Sequence, residues 1–176
     1  MPHNGRNRKL PFDPAEAVAH LRSRDPKLGA LIDTPDEVLR AAGVSGNKTK
    51  AMKDLAAKTL DGTVPSHSAI LKMSDADIVE RLTEVRGIGP WTVEMLLIFR
   101  MGRPDVLPVT DYGVRKGFAL TFMRVPRTRP LAAEDLPKPD VVFKRGQRWR
   151  PFRSVASWYL WRACDLAKSS SAPPGM

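Results

Sequence analysis

The chain has a single cysteine, Cys164, among its 176 residues, so neither a disulfide framework nor a cysteine-built zinc or iron-sulfur site can form within it. Histidine is nearly as scarce: His3, His20 and His67 are scattered, and none has metal-ligand spacing. No apolar run is long enough to span a bilayer, and no secretory leader is recognisable. The expected location is therefore a reducing cytoplasm, at a bacterial nucleoid, or a nucleus. Strict polar-apolar alternation, the mark of a half-buried strand, is missing, and no segment repeats.

Negative charge is also in short supply, with 19 Asp and Glu against 29 Lys and Arg, a net +10. Residues 1–80 hold 12 basic and 11 acidic side chains and residues 81–176 hold 17 and 8, so +9 of the +10 belongs to the second part. Such a surplus suits a polyanion, and nucleic acid fits better than a membrane because no basic amphipathic helix stands apart. General solubility charge is the alternative.

What is present is helix punctuation. Asp13-Pro14-Ala15-Glu16 reads as a capping box opening a helix to Ser23. Asp25-Pro26 opens a short helix carrying Leu28, Leu31 and Ile32, and Thr34-Pro35-Asp36-Glu37 caps another that stops at Gly43. Asn47 reads as the cap of 48–60, with Met52, Leu55 and Ala56 on its inner face. A short turn starts at Ser66, and Ser74 caps 75–85, where Ile78, Leu82 and Val85 share a face. The helix 90–101 is almost wholly apolar and reads as a buried axis; another runs from Asp111 to about 122, and the last covers 152–168 behind Pro151. Residues 124–140, rich in proline, read as a surface connection with one turn at 132–136. The sum is an all-α fold: one helical domain over 12–168, a flexible basic arm at 1–11 and a disordered tail at 169–176.

The organising stretch is 82–118. Gly87-Ile88-Gly89 sits between two periodic apolar segments, with Pro90 at the next first-helical position. This is a helix-hairpin-helix over 75–101, and peptide N–H groups of a glycine turn at a helix N-terminus can grip a phosphate oxygen. An ordinary αα-corner is the plainer reading of the glycines alone. Further on, Asp111 stands at the mouth of a helix, where a carboxylate could stabilise the positive charge that develops on a sugar as a glycosidic bond breaks. A simple N-cap has the same appearance.

The run Leu82-x-x-Val85-x-Gly87-Ile88-Gly89-x-x-Thr92, followed by Pro108-Val109-Thr110-Asp111-Tyr112, resembles the helix-hairpin-helix DNA glycosylases. Within them it is most similar to the alkylated-base branch, the 3-methyladenine DNA glycosylase II type, over residues 35–165 with one gap. The resemblance implies base-excision repair: hydrolysis of alkylated purines from damaged double-stranded DNA by a monomeric helical protein whose site lies in a cleft between two lobes. It makes Asp111 the catalytic carboxylate and gives Trp91, Met95, Tyr112 and Trp161 to the base pocket, whose electron-rich faces would favour a cationic ring. Core packing is the other reading of the tryptophans, and the one preferred for Trp149 and Trp158. It sets Arg86, Gly87, Gly89, Thr92, Arg115 and Lys116 against DNA phosphates, whereas 144–150 reads as a solvated basic run.

Lyase-competent relatives carry a nucleophilic lysine just after the hairpin turn, where this chain has Trp91, so an abasic site without strand nicking is expected. No metal site or cofactor is implied, apart from the monovalent cation that hairpin carbonyls hold in the family. Some relatives have a four-cysteine cluster that this chain lacks. Between Asp33 and Thr34 the family usually inserts a helical segment with a Gln-Gln-hydrophobic-Ser signature whose apolar side chain wedges into the duplex. Its loss is expected to leave Leu28, Leu31 and Ile32 exposed or paired with another molecule. It also keeps open a rival reading, a non-catalytic helix-hairpin-helix module that has lost base flipping.

Overall fold

The computed structural model describes residues 26–125, 129 and 131–169. The expected arm at 1–11, the helix expected over 13–23 and the tail after 169 lie outside these. Among the described residues the regular elements are helices, with no strand, and no helix is long and apolar enough to cross a membrane. The described residues fall into two compact units that divide between Gly89 and Pro90.

The first unit contains α1 (Pro26–Asp33), α2 (Asp36–Ala41), α3 (Gly46–Leu60), α4 (His67–Ile70) and α5 (Asp75–Thr83). Ala56, Leu60, Ile78, Leu82 and Val85 are its buried apolar side chains. Ser74 caps α5 as expected, accepting the Asp77 N–H at 3.1 Å and donating its hydroxyl to Asp77 at 2.7 Å. Two other expected caps are corrected. Thr34 turns its hydroxyl back to the Ala30 carbonyl at 2.7 Å, leaving α2 with no side-chain cap, and α3 begins after Ser45 rather than at Asn47. The inner stripe of α3 is Thr49, Ala56 and Leu60, whereas Met52 and Leu55 are exposed. α1 packs on α3, so Leu28, Leu31 and Ile32 are half-buried rather than bare.

Polar contacts fasten α3 to the approach of the hairpin. Asp54 accepts the Arg86 N–H at 2.7 Å and pairs with Lys58 at 3.1 Å, and the Lys58 ammonium donates to the Glu84 carbonyl. Gly87 then turns the chain at φ 80°, where a side chain would be strained.

The second unit contains α6 (Pro90–Phe99), α7 (Tyr112–Phe122), a 3₁₀ turn at Ala133–Asp135, α8 (Pro139–Gly146), a second 3₁₀ turn at Gln147–Trp149, and α9 (Arg153–Ser169). Leu107, Val114, Phe118, Val142 and Leu160 form its core, flanked by Val109, Trp149 and Trp161. α7 lies close on α9: a Cβ at Gly117 would sit 1.9 Å from the Leu160 carbonyl oxygen. α6 is a half-buried helix, since Val93 and Leu97 are buried but Trp91 and Phe99 are 50% and 61% exposed. α8 replaces the end of the expected surface connection, burying Val142. The basic run is partly committed, with Arg145 stacked 3.9 Å from the Phe122 ring centroid and Arg150 paired to Asp105 at 3.1 Å. Trp149 packs at the core as expected, but Trp158 is 51% exposed.

Candidate active site

Residues 103–110 deliver Asp111 to the mouth of α7, and the start of α9 holds that loop in place. The Arg153 guanidinium grips Asp105 at 2.5 and 3.0 Å and its carbonyl at 2.8 Å. Ser154 accepts the Val106 N–H at 3.0 Å and donates to the Arg103 carbonyl at 2.6 Å. Arg153 holds the Asp105 carboxyl below the usual carboxylate range. About two turns further along the same helix comes Trp161.

At Asp111 three N–H groups converge on one carboxylate. Its Oδ1 accepts the Val114 N–H at 2.7 Å, which is the N-cap bond. Oδ1 also accepts the Trp161 indole N–H at 2.7 Å, and Oδ2 accepts that of Trp91 at 2.8 Å. Capping needs only the first of these, so the two indoles add an orientation that a cap does not require. Trp161 is braced in turn by Phe99, stacked at 5.6 Å between centroids with an interplanar angle of 27°.

Two residues that sequence reading passed over complete the arrangement. Gly113 makes room for it: a Cβ there would lie 2.5 Å from Trp161 Cδ1 and 3.1 Å from Asp111 Oδ1. Glu94 stands one turn beyond Trp91 on α6, and its Oε2 is buried without a hydrogen-bond partner among the described residues. Burial first, and the negative charge of Asp111 second, push its carboxyl up to about 7. The signal that could have found it is a lone acid inside an otherwise apolar helix.

The other expected residues are placed as follows. Tyr112 is 58% exposed, with Lys116 Nζ 5.9 Å from its ring centroid, and Met95 is half-buried on α6. A shallow open depression of about 370 Å³ beside Trp161 is lined by Trp158, Trp161, Arg162 and Asp165, all on α9. Arg86, Gly87 and Thr92 are exposed, while Gly89 and Lys116 are half-buried. Arg115 uses its Nε on the Pro137 carbonyl at 2.8 Å.

Known proteins share this frame. The chain is similar to DNA-3-methyladenine glycosylase 1 of Schizosaccharomyces pombe, 38% identical over 135 residues, which is 77% of this chain and 55% of that protein. The 3-methyladenine DNA glycosylase of that yeast, solved in complex with abasic DNA, superimposes with a TM-score of 0.64 at 31% identity, covering 96% of this chain and 78% of that one. The DNA-3-methyladenine glycosidase of Bacillus halodurans gives a TM-score of 0.66 at 26% identity, over 92% of this chain and 73% of that one. The chain spans about half the length of the curated relatives it matches. No protein-family model matches it.

Proposed function

Because the chain belongs to the 3-methyladenine DNA glycosylase family of helix-hairpin-helix proteins, we propose that it hydrolyses the N-glycosidic bond of alkylated purines in double-stranded DNA and leaves an abasic site. The observation that carries this reading is the Asp111 carboxylate at the mouth of α7, held by the indole N–H groups of both Trp91 and Trp161. A carboxylate fixed in place costs no reorganisation when positive charge builds on the sugar, which is the condition for electrostatic stabilisation of an oxocarbenium-like state. Of its four or so lone-pair positions three are filled, leaving one on Oδ2 for the sugar or the incoming water.

Alkylation supplies the rest of the driving force. A methylated purine already carries positive charge, leaves as a neutral ring and needs no acid. Trp91, Met95, Tyr112 and Trp161 would select it by stacking, Trp91 and Tyr112 offering exposed rings. The residue after Pro90 is Trp91 rather than a lysine, so no amine there is available to form a Schiff base, and the strand stays intact. Gly87, Gly89 and Thr92 would present peptide N–H groups to a phosphate, with Arg86, Arg115 and Lys116 supplying charge. The turn's carbonyls are the donor class a monovalent cation takes, and one of their neighbours, Glu84, already accepts the Lys58 ammonium. Such an ion would add positive charge toward the phosphate.

One observation favours the second reading, a DNA-binding module without catalysis. α1 ends at Asp33 and α2 begins at Asp36, with Thr34 N bonded back to Ala30 at 2.9 Å, so no wedge segment fits between them. Incubation with methylated duplex decides between the two. The first reading expects free 3-methyladenine or 7-methylguanine, together with strand breaks that appear only after alkali. Binding with no released base would leave the second.

A further inference from the structure

We propose that Glu94 is the general base of this site: it takes the proton of the attacking water while Asp111 remains the anion facing the sugar. This rests on the glycosylase reading above. The two carboxyls differ in what already binds them. Asp111 is bound by one peptide and two indole N–H groups, which fix it as an acceptor and leave it a single open lone-pair position. Glu94 is the reverse, with Oε2 buried and no donor satisfying it among the described residues. A buried polar atom without a partner is rare in folded proteins and asks for a use. Glu94 follows Trp91 by one turn on the same side of α6, and the Trp91 N–H ends on Asp111, so a water taken up by Glu94 would stand on the Asp111 side of the helix.

The electrostatics of Glu94 point the same way. The charged group that acts on Glu94 is Asp111, at the mouth of α7. The remainder of α6 up to Phe99 carries no charge. Burial and the Asp111 charge together bring Glu94 to about 7, so near neutral pH it exchanges a proton readily, as a general base must. Above that value Glu94 is ionised, the form that can accept the proton of a water.

The step balances without further reactants. The bond between C1′ and the ring nitrogen breaks, and its electron pair neutralises the positive charge of the methylated base. A C1′–O bond forms from water, whose released proton passes to Glu94. The products are the neutral free base, the abasic sugar and a protonated Glu94 that returns its proton to solvent.

The test is single-turnover release of 7-methylguanine from methylated duplex between pH 5.5 and 9, for the wild type and Glu94→Gln. The wild-type rate is expected to rise through about pH 7 and level off, whereas the variant stays flat and about 100-fold slower at pH 8. Superimposable profiles would overturn the assignment while leaving the glycosylase reading intact; a wild type that releases no base removes both. Should Glu94→Gln fail to fold, infrared titration of the wild type carries the test. A protonated-carboxyl band is expected to fade near pH 7 and to move to lower pH in Asp111→Asn, where the like charge is gone. No such band, or one that ignores Asp111→Asn, would refute the proposal.

Discussion

Asp111 caps α7 and accepts two indole N–H groups with one carboxylate. Capping uses a lone pair of Oδ1, and the two indoles then set the plane of the group. Gly113 controls that plane indirectly. Alanine there favours the helix by about 1 kcal/mol, but its Cβ would press on Trp161 at 2.5 Å, and overpacking of this kind costs about 1–3 kcal/mol. Gly113→Ala is therefore expected to lower Tm modestly and to slow base release about 100-fold, since a shift of an ångström in a reacting group costs that much. Unchanged turnover in the folded variant would show that the bond from Trp161 is dispensable. Asp111, Trp91 and Trp161 were legible in the sequence because each falls at a fixed offset from the glycine turn or in a closing helix of known pattern. Gly113 was not, because its fit against Trp161 and Asp111 comes from the packing of α7 on α9, which no local spacing encodes; Glu94 showed only as a lone acid in an apolar helix.

Among the elements, the loop before α7 matters as much as the helix it feeds. Asp105 binds Arg153 through both carboxylate oxygens, and the guanidinium holds that carboxyl below its ordinary value. A carboxylate lowered on folding contributes stability above its unfolded value near ~4, and that contribution is lost as pH falls through the folded value. Thermal unfolding from pH 7 down to 2 checks this. Asp105→Asn is expected to melt lower than wild type at pH 7 and to lose less Tm on acidification, and parallel curves would remove this pair from the account. Helix punctuation gave away α5, α6, α7 and α9, where a cap or proline meets an apolar stripe. It failed at α8, although Pro139 and Asp140 stand in its first turn, because the prolines before it read as one continuous loop. It also misjudged faces: α6 looks uniformly apolar, yet Trp91 and Phe99 are exposed.

Over the whole molecule, the surplus of +9 in residues 81–176 accompanies the Asp111 site. Phosphate contacts give binding that ignores sequence and weakens with salt, through counterion release. Arg86 is exposed beside the glycine turn, with its own N–H taken by Asp54. Arg86→Ala is expected to weaken binding equally on different sequences and to reduce the slope of log affinity against log salt by about 1. An unchanged slope would take Arg86 off the DNA. The positive surplus was plain from composition, whereas the division into two units was not, because no linker-like stretch separates residues 89 and 90.

The most direct measurement is single-turnover release of 3-methyladenine from methylated duplex by wild type and by Asp111→Asn, with DNA affinity measured alongside. A carboxylate that stabilises the charged sugar should leave binding unchanged and lower release about 100- to 1,000-fold when neutralised. Equal release by the two proteins would contradict the account at its centre.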